Sequence, residues 1–218
     1  NGVNGIELWK TNGTASGTVM IKDLTPGSSG TSFNTNWSVR NFGGSTTLYF
    51  GASGKLWKSD GTTAGTAVLN SNTNWTTPTA VCQGHYNILG NTVIYNGYDG
   101  TGTEPWQTGG GNAGSRLRDI YPGSSWSWGG TYPNSSFAGP LVNVNGYVYF
   151  SAQEAGGRRL WKTNGTTTNT VRVSNTALDP AYITPMNGIN DMNADIRFSA
   201  RTSAYGTELW KTDGTSAG

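Results

Sequence analysis

Three glutamates recur at equivalent places in a repeated pattern and are the first candidates for chemistry. Glu7, Glu104 and Glu208 each stand two residues before a tryptophan. A glycosidase needs two carboxylates about 5–9.5 Å apart that perform different tasks. Equivalent residues of a repeat tend to perform equivalent roles, so the recurrence argues against such a pair. It favours a polar residue at a strand edge that bonds a neighbouring turn, with one ligand contact per repeat as the alternative.

Two aspartates head Gly-Thr turns and could in principle bind a cation. Asp60 and Asp213 occupy positions where other copies carry Asn12 and Asn164. Both residue types bond their own backbone two residues on and tolerate left-handed conformations. A calcium site prefers several anionic oxygens. The exchange of Asp for Asn therefore predicts a turn and no metal site.

Cys82 and His85 are the single cysteine and the single histidine of the chain. A cysteine nucleophile needs a base within reach and a third group that orients this base. The pair falls in a predicted strand, which favours packing. The run 109–111 is all glycine but is not a phosphate loop, because neither Gly-Lys-Ser/Thr nor a helix follows. We predict no catalytic residue and no cofactor, and hence a protein that is not an enzyme.

Aromatic residues in and beside the predicted loops are candidates for sugar binding. Aromatic rings stack on the C–H faces of pyranoses, while amides and hydroxyls bond the sugar hydroxyls. The alternative is that the rings fold inward and cover the sheets. The candidate ligand-binding residues are Trp37, Trp75, Tyr98, Trp126, Trp128, Tyr132, Tyr182 and Tyr205, with Phe33, Asp99, Glu154, Arg158 and Arg201 in the same loops.

A motif of the type Glu-Leu-Trp-Lys-Thr-Asp-Gly-Thr returns five times along the chain. Its tryptophans are spaced 48 to 55 residues apart, with the longest interval caused by extra residues in 124–140. A period of this size indicates an array of one structural unit. We expect these tryptophans to pack between neighbouring sheets. They are Trp9, Trp57, Trp106, Trp161 and Trp210.

Each unit reads as four short strands, a to d, joined by tight turns. Strand b is the clearest, because residues 48–50, 93–95 and 148–150 are apolar at three adjacent positions. Such strands are buried on both faces, as in a sheet between two other sheets. The third strand carries the motif and is predicted at 6–11, 55–59, 103–107, 159–163 and 207–212.

The pattern predicts an all-β protein: a β-propeller of four four-stranded blades in a single domain, 1–218. Radially stacked sheets leave only short edges, whereas a β-helix usually has shorter repeats, of roughly 20–30 residues. Blade boundaries fall near 31, 74, 125 and 179, and the N-terminal strands complete the last blade. Five motif copies leave one strand c to spare. One copy is displaced, or the chain is cut from a larger array, or the spare strand pairs with another molecule.

The composition of the chain limits the classes of partner that the protein can be expected to bind. The chain has 218 residues and a net charge of +2, which does not favour nucleic acid. There is no apolar run of about 18 residues, so we predict no membrane insertion. The chain begins and ends within a repeat, as expected of a mature form or a window on a longer protein.

The copies resemble the ELWxxDGT repeat family of bacterial proteins. Residues 208–215 match the motif fully, and the flanking segments 22–28 and 118–124 also fit the family pattern. The resemblance implies a secreted or surface-attached bacterial protein with propeller-like repeats. It implies little about activity, because the family is defined by its repeat.

Three functions remain open from the sequence. The first is an extracellular, lectin-like module that binds a glycan or cell-surface polymer through loops on one face, where several weak sites would give avidity. The second is a structural module of an adhesin or fibre, joined through terminal strands to other copies or to further repeats. The third is a glycan hydrolase.

Overall fold

The computed structural model describes residues 3–42, 45–53, 55–69, 86–109, 114–127, 129–173, 184–185, 196–202 and 204–215. These residues form an all-β structure without helices, in which every strand pairing is antiparallel. Within them, accordingly, no helix is long and apolar enough to cross a membrane. The chain divides into two compact units: unit 1, Asn1–Gln83 with Gly111–Ala113, and unit 2, Gly84–Gly110 with Gly114–Gly218.

Unit 1 contains two sheets. Its strands are β1 (Leu8–Lys10), β2 (Val19–Lys22), β3 (Phe33–Phe42), β4 (Ser45–Ala52), β5 (Lys55–Ser59) and β6 (Ala67–Val68). β1 and β2 form a two-stranded sheet, and β3 to β6 form a four-stranded sheet in chain order. Alternating apolar residues and turn residues at the strand ends favour such meanders.

Unit 2 contains three larger sheets and a separate hairpin. Its strands are β7 (Tyr86–Leu89), β8 (Thr92–Tyr98), β9 (Thr103–Thr108), β10 (Ser115–Arg116), β11 (Ser124–Ser127), β12 (Gly130–Pro133), β13 (Val142–Val144), β14 (Tyr147–Glu154), β15 (Gly157–Thr163), β16 (Val171–Arg172), β17 (Thr184–Pro185), β18 (Ile196–Thr202) and β19 (Gly206–Thr212). The sheets are β7–β10, β13–β16 and β17–β19, each ordered along the chain, and β11 pairs with β12.

The predicted strands c are confirmed as β1, β5, β9, β15 and β19, and each lies at or within two residues of its expected bounds. Two details differ from the prediction. Trp37, a candidate for the ligand-binding loops that also stands at the start of predicted strand a, lies within β3, opposite Phe50 of β4. The extra residues at 124–140 include the β11–β12 hairpin, which the sequence pattern did not predict.

Three motif tryptophans pack between sheets, as expected. In unit 1, Trp57 is buried with Leu8 and Ile21 of the β1–β2 sheet. In unit 2, Trp161 joins a core that includes Ile94 of β8, and Trp210 packs against a core that includes Tyr149 of β14. Each of these tryptophans therefore contacts the sheet that precedes its own along the chain.

The remaining two motif tryptophans behave differently from each other. Trp106 is buried, whereas Trp9 is 42% exposed. The described structure therefore does not place Trp9 between two sheets, and the packing role expected for this residue stays a prediction.

Candidate functional site

Glu104 is the most deeply buried acidic side chain among the described residues. Its carboxylate holds the loop after β10 by hydrogen bonds, and we call this arrangement the clamp. Glu104 is 0% exposed. Its Oε2 accepts a hydrogen bond from the main-chain N–H of Ile120 at 2.9 Å, and its Oε1 accepts one from Ser136 N–H at 3.1 Å. Burial raises the pKa of Glu104, against the lowering effect of these two donors. Both carboxylate oxygens therefore accept hydrogen bonds from the main chain of the following loop.

Glu7 makes the equivalent clamp in unit 1. Its Oε2 accepts a hydrogen bond from Leu24 N–H at 2.7 Å, and both carboxylate oxygens lie 2.9 Å from the donating Thr31 hydroxyl. Glu208, the third member, is exposed on β19. The predicted structural role is confirmed for Glu7 and Glu104, because each bonds the chain that follows its neighbouring strand d.

The hydrogen bonds of Glu7 and Glu104 account for a sequence pattern that extends over two repeats. The residue that begins the motif alternates along the chain: Glu7, Lys55, Glu104, Arg159 and Glu208. Only the copies at Glu7 and Glu104 are followed by a segment of the type (Lys/Arg)-Asp-(Leu/Ile)-x-Pro-Gly-Ser, at 22–28 and 118–124. We call this the clamped segment. Its co-occurrence with Glu was visible in the sequence, and it points to a double repeat of about 100 residues.

The Gly-Thr turns are held by their leading Asp or Asn, as predicted. Asp60 Oδ1 accepts hydrogen bonds from Thr62 N–H at 2.9 Å and from Thr62 Oγ1 at 2.7 Å. Asn12, Asn164 and Asp213 bond the Thr two residues later in the same way. The hydroxyl of Thr62 lowers the pKa of Asp60. In the part of the chain that the structure describes, no group of three or more His, Cys, Asp or Glu could hold a metal ion.

The loop aromatics divide into exposed, packed and undescribed sets. Trp126 is 75% exposed, and Tyr132 and Tyr205 are also exposed. Tyr98 is half-buried at the end of β8. Phe33 was expected in a loop, but it begins β3. Its ring lies 5.9 Å from that of Phe50 in the core of unit 1. Trp75, Trp128, Tyr182, Cys82 and His85 lie outside the described residues.

Trp126 and Tyr132 do not lie side by side on one face of their hairpin. In the β11–β12 hairpin Trp126 lies opposite Thr131, and Tyr132 lies opposite Ser125. Opposed residues of an antiparallel pair share one face, and successive residues alternate faces. Trp126 and Tyr132 therefore project from opposite faces of the hairpin.

The polar loop residues that were candidates for ligand binding mostly form hydrogen bonds within the fold. The Nη1 atom of Arg158 donates to the carbonyls of Phe137 and Ser151, both at 3.1 Å, and burial lowers the pKa of Arg158. Asp99 forms a turn with Thr101 like those of the motif. Arg201 is exposed on β18. These contacts make Arg158 and Asp99 structural, unlike the ligand contacts considered for them.

Two loop types meet on one face of unit 2, as the alternating strand direction predicts. The main-chain N–H of Thr103, after the β8–β9 turn, donates to Ser135 Oγ at 2.9 Å. Ser136 N–H donates in turn to the Thr103 carbonyl at 3.0 Å. The loop from β10 to β13 therefore packs on the β8–β9 turn of its own repeat.

Beside this loop, unit 2 contains a cleft of about 500 Å³ between the clamped segment after β10 and the outer part of the sheet β13–β16. The cleft combines basic, acidic and apolar side chains. It is lined by Arg118, Asp119, Ile120, Pro122, Glu154, Trp161, Val171 and Arg172. Glu154 and Trp161 stand out in the sequence, but only the structure places them beside residues 118–122.

Most charged groups in the cleft are paired. Glu154 Oε1 accepts a hydrogen bond from Trp161 Nε1 at 2.9 Å, and Glu154 Oε2 lies 3.3 Å from Arg172 Nη1. The guanidinium of Arg118 lies over the Trp161 ring, 5.4 Å from its centroid. Glu154, Trp161 and Arg172 therefore form one connected polar group on the wall of the cleft.

Asp119 is the acidic group of the cleft that retains hydrogen-bonding capacity. Its Oδ2 lies 3.5 Å from Arg116 Nη1. Its Oδ1 is buried without a hydrogen-bond partner among the described residues. Asp23, the equivalent residue of unit 1, accepts from Asn4 through Oδ2 and has the same unpartnered Oδ1. Because the equivalent oxygen is in the same state in both units, this state belongs to the clamped segment itself.

Comparisons with known proteins identify no family for this chain. No protein-family model matches the chain, and no curated protein matches it either. Among solved structures, one from Agrobacterium tumefaciens described as "putative TolB" is similar over 78% of this chain and 74% of that one, at 12% identity and a TM-score of 0.28. A TM-score of this size carries no argument about fold or function. The resemblance to the ELWxxDGT repeat family therefore stays a prediction.

Proposed function

We propose that this protein is a non-enzymatic, extracellular module that binds carbohydrate through the cleft of unit 2 and the adjoining β11–β12 hairpin. The observation that carries the proposal is the exposure of Trp126, at 75%, on a hairpin whose base adjoins the cleft wall. Asn134, after β12, donates to the Pro122 carbonyl at 3.0 Å, and Pro122 lines the cleft.

The chemistry of the cleft fits a sugar better than a charged ligand. The arginines of the cleft offer hydrogen-bond donors to sugar hydroxyls, and its carboxylates offer acceptors. Because their charges are of opposite sign, the cleft has no large net charge. Asp119 lines the cleft with a side chain that is 31% exposed, so a sugar hydroxyl can donate to its carboxylate without adding charge. An exposed indole supplies the apolar platform on which a pyranose ring stacks.

A glycan array with the intact chain tests the proposal. We expect binding to at least one glycan class, with a loss of about tenfold or more for Trp126→Ala and for Asp119→Asn, measured by calorimetry with that glycan. Ile6→Ala is the matched control, because Ile6 is an exposed apolar residue of unit 1. A broad array without binding, or affinity unchanged in both variants, would contradict the proposal.

We further propose that the repeats are blades of a four-bladed β-propeller. The support is local: four-stranded meanders in chain order, and motif tryptophans that pack on the preceding sheet. A compact ring of 218 residues has a radius of gyration of about 17 Å. Small-angle scattering from the monomer should return this value, and a markedly larger one would indicate an open array. The expected pairing of N- and C-terminal strands stays a prediction.

A further inference from the structure

Phe137, in the connection between β12 and β13, combines a strained backbone with an exposed aromatic side chain. Its φ is +46°, in the left-handed region, which bulky residues rarely adopt. A residue held in this region costs free energy and persists only where the surrounding structure enforces it. Phe137 is nevertheless 56% exposed, so burial of the ring does not account for the conformation.

Phe33 of unit 1 shows that a phenylalanine at the equivalent place packs without this strain. Each of the two phenylalanines follows a serine, Ser32 or Ser136, whose carbonyl accepts a 2.8 Å hydrogen bond from a main-chain N–H at the same position of the repeat. Phe33 then begins β3, and its ring lies 5.9 Å from that of Phe50 in the core. The same residue type is therefore packed inside one unit and exposed on the other.

The left-handed turn at Phe137 decides which side chain enters the core of unit 2. Ala138, the next residue, is fully buried in the cluster that contains Phe150. Phe150 lies opposite the motif tryptophan of its sheet, as Phe50 does in unit 1. In unit 2 a small side chain therefore enters the core, and the phenylalanine stays outside it.

Hydrogen bonds on both sides of Phe137 enforce its conformation. The N–H of Ser136 donates to Glu104 Oε1 at 3.1 Å, and the N–H of Phe137 donates to the Thr103 carbonyl at 3.3 Å. On the other side, Arg158 Nη1 donates to the Phe137 carbonyl at 3.1 Å. The main chain is thus fixed in the absence of a ligand, which lowers the entropy cost of binding to this residue.

Phe137 adjoins both walls of the cleft in unit 2. Its neighbour Ser136 is bonded through its N–H to the same carboxylate as Ile120, which lines one wall. The Ser136 carbonyl accepts a hydrogen bond from the N–H of Gln153, and the next residue, Glu154, lines the other wall. Phe137 therefore lies one residue away from a serine that is tied to both sides of the cleft.

We propose that Phe137 is a second aromatic contact of the carbohydrate site, on which one pyranose ring of a neutral oligosaccharide stacks beside the cleft. The inference rests on the proposed function and adds a specificity-determining residue to it. Backbone strain at a residue that does not serve the core is a feature of functional sites. Trp126 and Phe137 lie in the same connection, between β10 and β13, and each offers one sugar ring an apolar surface.

Phe137→Leu and Phe137→Tyr test the stacking, with the free oligosaccharide that gives the strongest array signal as the probe in calorimetry. Leucine is apolar but has no ring face, so affinity should fall about fivefold or more. Tyrosine keeps the ring, and its affinity should stay within about twofold of that of the unaltered protein. Phe33→Leu is the matched control, because it alters the equivalent phenylalanine in the core of unit 1 and should lower stability without changing affinity.

Phe137→Gly and Phe137→Ala separate the ring from the backbone strain. Both variants lack the ring and should lose affinity to the same extent. Glycine adopts the left-handed conformation without the steric cost that alanine has there. Phe137→Gly should therefore melt about 2–4 °C above Phe137→Ala.

Three results would overturn this inference alone: unchanged affinity of Phe137→Leu while Trp126→Ala loses binding, equal losses for Phe137→Leu and Phe137→Tyr, or a Phe137→Gly variant no more stable than Phe137→Ala. An array on which the unaltered protein binds no glycan would overturn the proposed function, and this inference with it. The two failures are thus distinguished by whether the unaltered protein binds.

Discussion

The carboxylate of Glu104 and the main-chain amide of Ile120 are joined by a 2.9 Å hydrogen bond in a fully buried setting. The same bond joins Glu7 to Leu24 in unit 1, at 2.7 Å. A recurring acidic residue in a polar repeat protein invites a catalytic or ligand-binding interpretation. Here it holds the loop that follows the outermost strand of its sheet.

Glu104→Ala should destabilise the protein by about 2 kcal/mol, because it leaves the N–H group of Ile120 buried and unpaired and removes one of the two acceptors of the Ser136 N–H group. Glu104→Gln should cost less, since its amide oxygen still accepts one of the two hydrogen bonds while its NH₂ faces the other donor. Chemical denaturation measures both changes.

Glu208→Ala is the internal control for the Glu104 variants. Glu208 holds the same motif position but is exposed, so its loss should change stability by less than about 0.5 kcal/mol. Similar losses for Glu104→Ala and Glu208→Ala would show that the clamp is not what stabilises the loop.

Gly97→Ala should destabilise the protein even though it restores the residue of the other copies. The aligned positions carry Ala52, Ala152 and Ala200. At Gly97, however, an added Cβ would lie 2.6 Å from Cγ of the buried Trp106 ring. Overpacking of this kind costs about 1–3 kcal/mol.

The control for Gly97→Ala is Gly109→Ala, where an added Cβ meets nothing within 4 Å. Thermal melts of the two variants should differ clearly, with Gly109→Ala close to the unaltered protein. A Gly97→Ala variant as stable as the parent would mean that the Trp106 ring moves aside without cost.

Asp60 should titrate below the ordinary range of an aspartate. The hydroxyl and N–H of Thr62 stabilise its ionised form and lower its pKa, so the contribution to stability is present at neutral pH and is lost as pH falls through the lowered pKa. NMR titration of side-chain carboxyl signals measures this value. Thr62→Val should raise the pKa of Asp60 and leave that of Asp213 unchanged; equal values before and after would refute the assignment.

Arg118→Ala should cost about 1 kcal/mol of stability. The Nη1 atom of Arg118 donates to the Thr170 carbonyl at 3.1 Å, and the guanidinium covers the Trp161 ring. Arg118→Lys should retain much of this, because Lys22 makes the equivalent bond to the Thr66 carbonyl in unit 1 at 2.7 Å. Denaturant unfolding of the two variants compares them; a lysine variant as unstable as the alanine variant would contradict the equivalence.

Strand positions could be predicted well from the sequence because they depend on local patterns. β5 falls at its predicted bounds, Lys55–Ser59. The Gly-Thr turns were also predictable, since Asp or Asn bonds a residue only two positions away. The β11–β12 hairpin was missed because its Ser, Trp and Gly residues lack apolar alternation and follow no counterpart in the other repeats.

The sequence by itself determined the repeat, the all-β class and the structural use of the recurring Asp and Asn, because each rests on residues close together in the chain. Only the tertiary structure decided what Glu104 binds, since Ser136 is 32 positions away. It likewise brought Arg118 and Trp161 into one cleft and separated Trp126 from Tyr132. Such contacts depend on strand register and sheet packing, and the spacing of residues along the chain does not encode them directly.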